Sequence, residues 1–182
     1  MPIIKNFFIA LSNNKALNNT AKKLGPMFGA NKVVAGNTIP ALVETISRLN
    51  EKGIVVTVDN LGEYVSTEGE AIMAKDQILE VLYAINNYNL DAHMPITISQ
   101  LGAELALDLA YRNLREILLK ANEFKNMHIN IDTEKYDSLL DVIQTVDRLK
   151  GEFKNLGTVI QAYLFKAEAL IDKYPELRLR LV

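Results

Sequence analysis

Hydrophobic and polar residues alternate with a period of two in several short stretches of the chain, separated by runs with helical spacing. In the clearest stretch Met127, Ile129 and Ile131 alternate with His128, Asn130 and Asp132. Such alternation gives a strand two unlike faces, and here the strand ends on an acid. The same pattern predicts strands over residues 54–59, 94–99, 157–161 and 177–182. Between them apolar residues recur at helical intervals. Ser66 starts a long helix with Ile78, Val81, Leu82 and Ile85 on one face. Leu107, Ala110, Leu114, Ile117 and Leu118 mark the next, and Leu139, Val142, Ile143, Val146 and Leu149 the one after. A further helix is predicted over residues 164–171.

Ahead of the first strand, Thr38 can cap a helix that carries Pro40 in its first turn, Leu42, Ile46 and Leu49 as its stripe, and Gly53 as its stop. Residues 1–35 read as a helical, irregular segment with Asn13, Asn14, Asn18 and Asn19 as turn material and breaks at Gly25-Pro26 and Gly29.

Strand–helix alternation implies parallel pairing with right-handed crossovers. Val56, Val58, Ile96, Ile98, Ile129, Ile131, Ile160, Leu179 and Leu181 fall on one strand phase, suited to packing under helices. Thr57, Asp59, Thr97, Ser99, Asn130, Asp132, Gln161, Arg178 and Arg180 fall on the other. A doubly wound open sheet is apolar on both faces, whereas a barrel has a filled or functional inner face. The expectation is therefore an α/β chain forming part of a (β/α)8 TIM-like barrel, with about five parallel strands over residues 36–182 behind the N-terminal helical segment. Because the barrel needs eight strands, the chain reads as truncated, the first part of a larger barrel with an open edge.

Composition narrows the function. Apolar residues make up 49% and charged residues 23% of the 182, with a net charge of −2. The charge is dispersed, which argues against nucleic acid as a partner. There is no cysteine, so disulfides, thiolate nucleophiles and zinc–thiolate sites are excluded. No run approaches the roughly 18 apolar residues of a membrane span. The apolar start at residues 1–11 is interrupted by Lys5 and Asn6 and reads as an amphipathic helix, not a signal sequence. A cytoplasmic protein is expected.

Motifs of other chemistries are absent: there is no G-x-G-x-x-G, no P-loop and no serine in a nucleophile elbow. His93 and His128 lack metal-ligand spacing and read as loop or packed histidines. Tyr163 and Phe165 read as core aromatics. The barrel reading brings Asp59, Ser99, Asp132, Gln161 and Arg180 to one rim. Asp132 and Arg180 are opposite charges in a partly dry cleft, which serve as a chemical tool or as a structural tie. The plainer alternative has Asp132 capping the next helix and Arg180 as an exposed strand-end charge.

Several blocks resemble proline dehydrogenase in its short bacterial, single-function form. They are Thr57-Val58-Asp59-Asn60-Leu61-Gly62-Glu63-Tyr64, Ser99-Gln100-Leu101-Gly102, Ile131-Asp132, Gly157-Thr158-Val159-Ile160-Gln161-Ala162-Tyr163-Leu164 and Leu179-Arg180-Leu181-Val182. The resemblance implies a distorted (β/α)8 barrel that binds FAD and oxidises L-proline to Δ1-pyrroline-5-carboxylate, passing electrons to a membrane quinone. By position it makes Asp132 the active-site acid and Arg180 an arginine near the flavin N5, whose fixed charge favours the reduced ring. Gln161 and Thr133 match flavin contacts. The family has a substrate-facing lysine where this chain has Thr97. The resemblance also places further flavin-binding loops, and the helix that holds the proline carboxylate, beyond Val182.

Two rival readings stand beside it: a truncated, non-catalytic paralogue that self-associates or binds a partner along its open edge, and a five-stranded flavodoxin-like binding domain. The quinone acceptor implies peripheral membrane contact at the inner face of the membrane.

Overall fold

The structure is a computed structural model that describes residues 38–60, 65–124 and 127–182. The predicted helical segment over residues 1–35, and Leu61-Gly62-Glu63-Tyr64 of the first motif block, lie outside the described residues. The chain divides into two compact units, residues 1–45 and 46–182. Of the first, residues 38–45 are described; they comprise Thr38 and the opening turns of α1 (Ile39–Asn50). Thr38 Oγ1 accepts from the Ala41 amide at 3.4 Å.

In the second unit Gly53 takes φ +74°, and the Ile54 amide donates back to Leu49 O at 3.1 Å, closing α1 in the left-handed manner that glycine permits. Strand β1 (Val56–Thr57), helix α2 (Glu68–Asn87), β2 (Ala92–Thr97) and α3 (Leu107–Glu123) follow. After these come β3 (Ile129–Asp132), a 3-10 turn (Tyr136–Ser138), α4 (Leu139–Leu149), β4 (Leu156–Ile160), α5 (Ala167–Lys173) and β5 (Arg178–Leu181). The five strands form one parallel sheet in the order β1-β2-β3-β4-β5. Sequential parallel order with a helix in each crossover is the arrangement of part of a (β/α)8 barrel, as the two strand phases predicted.

The apolar phase builds the core. Val58, Ile96, Ile98, Ile129, Ile131 and Ile160 are buried, against helical stripes that include Ile78, Leu82, Leu114, Ile117, Leu118, Val142, Val146 and Leu149. Burial of a branched aliphatic side chain is worth about 1.5–3 kcal/mol, so this face holds the sheet to its helices. Leu181 departs from the prediction: it is 60% exposed, at the end of an edge strand that pairs only with β4.

Four boundaries differ from the sequence reading for identifiable reasons. The first strand is paired over only two of its six predicted residues. The Val58 amide still donates to His93 O at 2.8 Å, but the next rung would need an N–H from Pro95, which has none. The cap of α2 is Thr67 rather than Ser66. Thr67 Oγ1 accepts from the Glu70 amide at 3.2 Å, while Glu70 reaches back to the Ser66 amide at 2.6 Å, a capping box displaced by one residue. The last helix begins at Ala167 because residues 161–166 form turns at the end of β4. The second strand starts two residues early, where Asn50 holds Asp91 by its backbone N–H and C=O at 2.8 and 3.1 Å.

Candidate active site

The sheet register stacks the polar phase in rows on one face. Thr97 is paired with Asp132, and Val159 with Arg180. One row below, Pro95 is paired with Asn130, Asn130 with Gly157, and Gly157 with Arg178. The upper row lies at the carboxyl ends of the strands, where a parallel α/β sheet opens onto its ligand.

Asp132 and Arg180 meet there. Arg180 Nη2 donates to Asp132 Oδ2 at 2.8 Å. The side chains are 40% and 21% exposed for Arg180 and Asp132 respectively, so the pair sits in a half-dry cleft. Burial pushes the Asp132 carboxyl above its ordinary value, and Asp59 and Glu134 add to the rise; the charge and hydrogen bond of Arg180 oppose it. The reading of Asp132 as a helix cap is not what the structure shows: the 3-10 turn and α4 follow Lys135 and Ser138, and the carboxylate faces the arginine.

One other rim residue, Ser99, is tied to this row through Thr97. Thr97 is half-buried opposite Asp132, and its Oγ1 accepts from the Ser99 hydroxyl at 3.3 Å. Ser99 is buried, in a turn fixed by two features. Gly102 takes φ +97°, where an added Cβ would meet Leu109 Cδ2 at 2.8 Å and Ala71 Cβ at 3.2 Å. The buried Asn113 of α3 donates through Nδ2 to Leu101 O at 3.0 Å. Asn113 escaped sequence reasoning because it lies on an otherwise apolar helix stripe; a polar residue in that stripe is the signal that marks it.

Asp59 is exposed and reaches Asp132 only by charge. Gln161 is half-buried just past β4, and its Oε1 accepts from the Tyr163 hydroxyl at 3.0 Å. Tyr163 and Phe165 are not core aromatics. They are 74% and 109% exposed, and they line an apolar hollow of about 410 Å³ with Tyr136, Leu139, Leu164 and Lys166. The turn after β4 carries them outward, away from the core.

Three polar atoms at this end of the sheet are buried without a hydrogen-bond partner: Asp132 Oδ1, Thr133 Oγ1 and Arg180 Nε. Buried polar groups are ordinarily satisfied, so three together mark a surface built to meet a polar ligand.

The two histidines below these rows, and their contact with Arg178, were not foreseen as a unit. His93 and His128 meet edge to face with ring centroids 6.4 Å apart, and Arg178 Nη1 lies 3.4 Å from His93 Nε2. Both histidines are packed, as their spacing suggested, with pKa values lowered first by burial and then by the Arg178 charge. His128 falls to about 4.

Comparison with known proteins gives one consistent answer. The sequence model of the family described as proline dehydrogenase matches residues 42–178. Proline dehydrogenase 1 of Bacillus subtilis (strain 168) is 37% identical over 182 residues, covering 99% of this chain and 60% of the relative. Proline dehydrogenase of Deinococcus radiodurans is 27% identical over 159 residues, 82% of this chain and 51% of that one. The chain thus spans about 60% of the length of the Bacillus relatives. Among solved structures, proline utilization A from Bdellovibrio bacteriovorus, inactivated by N-propargylglycine, superposes with a TM-score of 0.77. It shares 20% identity and covers 91% of this chain and 21% of its own. Proline utilization A from Corynebacterium freiburgense gives a TM-score of 0.67 at 26% identity, over 78% of this chain and 17% of that chain.

Proposed function

The chain belongs to the proline dehydrogenase family, and from that premise we propose that it contributes the acid–arginine half of a site for FAD-dependent oxidation of L-proline. The observation that carries the reading is the Asp132–Arg180 pair at the carboxyl ends of β3 and β5, bonded at 2.8 Å beside buried polar atoms that lack partners. The reaction removes two hydrogens from L-proline, one as hydride from carbon and one as the proton of the ring nitrogen, and yields Δ1-pyrroline-5-carboxylate. FAD, when bound, supplies the hydride acceptor.

The residues present fit that group. Arg180 brings a permanent cation with Nε unpartnered, suited to stabilising negative charge on a reduced ring. Thr133 offers a buried hydroxyl, and Gln161 a side-chain amide whose oxygen is engaged by Tyr163 and whose NH2 group can donate. Asp132 forms the polar floor of the cleft. No general base is needed if proline binds with its nitrogen deprotonated. Thr97 stands on the substrate side with a neutral hydroxyl, so Arg180 is the cation bonded to Asp132.

The electron acceptor in this reading is a quinone, reached by peripheral contact with the inner face of the membrane from a cytoplasmic protein. Among the described residues no helix is long and apolar enough to cross a membrane. The exposed Leu181 and Val182 on an edge strand favour self-association along β5, which gel filtration at two concentrations tests.

Anaerobic addition of L-proline to the FAD-loaded protein tests the enzymatic reading. Bleaching of the flavin band, absent with D-proline, is expected. An unbleached band would leave the chain a family member without the activity.

A further inference from the structure

The Asp132–Arg180 pair spans a strand. Asp132 is on β3 and Arg180 on β5, and the residue between them in the row is Val159 of β4. Adjacent strands are about 4.8 Å apart, so Arg180 must lean over the intervening strand to reach Asp132. Curling of the sheet shortens that crossing, and a second contact that draws β5 toward β2 favours it.

From the row beneath, Arg178 makes a longer bridge that slants down one row further. Arg178 of β5 reaches His93 of β2 at 3.4 Å, across both β3 and β4. Arginine has no acceptor, so for this contact to be a hydrogen bond His93 Nε2 accepts and its proton sits on Nδ1, an atom buried without a partner of its own. The path is open because β4 presents Gly157. A Cβ there would meet Arg178 O and Asn130 Oδ1 at clashing distance, and His128 Nε2 at 2.6 Å. The groups around His93 favour its neutral form on balance. Burial and Arg178 disfavour the cation, and Asp91, in the turn before β2, opposes them more weakly. His128 of β3 meets the His93 ring edge to face and is itself held neutral.

Arg178 and Arg180 are two residues apart on one strand and so point to the same face. We propose that the Arg178–His93 bridge is a positioning clasp: it holds β5 curled toward β2, over Gly157, and thereby seats Arg180 against Asp132. The charges that shift Asp132 are led by Arg180, with Asp59 and Glu134 opposing it, so a clasp that seats Arg180 bears on the largest of them. The clasp deepens the reading above, since the pair it positions is the one assigned to the chemistry, and its test reads that pair directly without flavin or turnover.

The experiment is carbon-detected NMR titration of the Asp132 carboxyl in the wild-type protein and in Arg178→Met, His93→Leu and His93→Gln. Loss of the clasp loosens Arg180, so the Asp132 midpoint rises in Arg178→Met and His93→Leu. Glutamine restores a side-chain acceptor, and His93→Gln returns the midpoint toward wild type. Unchanged midpoints in both disruptive variants, with the circular dichroism of the fold retained, overturn the proposal. If those variants do not fold, the wild type decides alone through long-range nitrogen–proton correlation of the His93 ring at neutral pH. The Nδ1–H tautomer is expected, and the Nε2–H tautomer excludes Arg178 as donor and overturns the clasp.

Discussion

Arg180 reaches over Val159, on the strand between them, to bond Asp132 at 2.8 Å. The ion pair of the cleft therefore joins side chains whose strands are not neighbours, and Arg180 has to cross the strand between them to make it.

Arg180→Met removes the one group that lowers the Asp132 carboxyl against the pull of burial. The carboxylate is only one-fifth exposed, so it is left desolvated and unpaired. We expect a loss of about 1–2 kcal/mol at neutral pH, below the value for a fully buried pair because the arginine end is wet. Urea unfolding measures it. A variant as stable as the parent would mean that the pair contributes nothing to the fold.

Asp132→Asn should act in the opposite direction on stability. The folded Asp132 holds its proton to a higher pH than the unfolded chain does, so its effect on stability is most favourable below the unfolded value near 3.8 and is lost as pH rises through the folded one. At pH 7 that cost is present, and asparagine relieves it by about 0.5–1 kcal/mol. The same variant abolishes proline-dependent reduction, if the acid serves the chemistry. Thermal melts at pH 7 and at pH 4 separate the two effects.

The histidine row has a steeper and opposite pH signature. His128 takes its proton near pH 4 in the fold and near 6.5 when unfolded. Between those values the unfolded chain binds more protons, so the contribution is intact above about 6.5 and is lost as pH falls toward 4. His128→Gln should flatten the decline in melting temperature across that window. An identical decline in parent and variant would place the acid sensitivity elsewhere.

Much of this arrangement was legible in the sequence. The phase of Met127 to Asp132, matched with that of the other strands, predicted which residues face helices and which face the cleft, because a side-chain period of two is fixed by the backbone. What the phase could not supply is curvature. Arg178 and His93 are 85 residues apart, and nothing in a linear pattern says that two intervening strands bend enough for them to touch. Gly157, a glycine inside a strand, is the local sign. Exposure of Tyr163 and Phe165 has a different origin: apolar character alone suggests core positions, whereas the turn after β4 ejects both rings. The short first strand was readable in retrospect from Pro95, since a proline on the neighbouring strand ends a ladder.

Thr97→Lys tests the substrate side. A cation opposite Asp132 would lower its carboxyl pKa and give the cleft a second donor. We expect tighter proline binding by about tenfold, seen as a lower KM for the FAD-loaded protein, together with a lowered Asp132 midpoint by NMR. A lowered midpoint without a change in KM would place proline away from this row.

Gly157→Ala tests the close approach of β4 to its neighbours. The added methyl meets backbone as well as side chain, so the strand itself must move, at a cost of about 1–3 kcal/mol. Chemical denaturation measures the loss; a neutral substitution would show that His128 and Asn130 can step aside.

The most direct test of the account is a visible absorption spectrum of the purified protein after incubation with excess FAD and gel filtration, run beside Arg180→Met. A flavin band retained by the parent and lost or weakened in the variant is the predicted result. A colourless parent, or a band indifferent to Arg180, would contradict the assignment of the Asp132–Arg180 cleft as the flavin site.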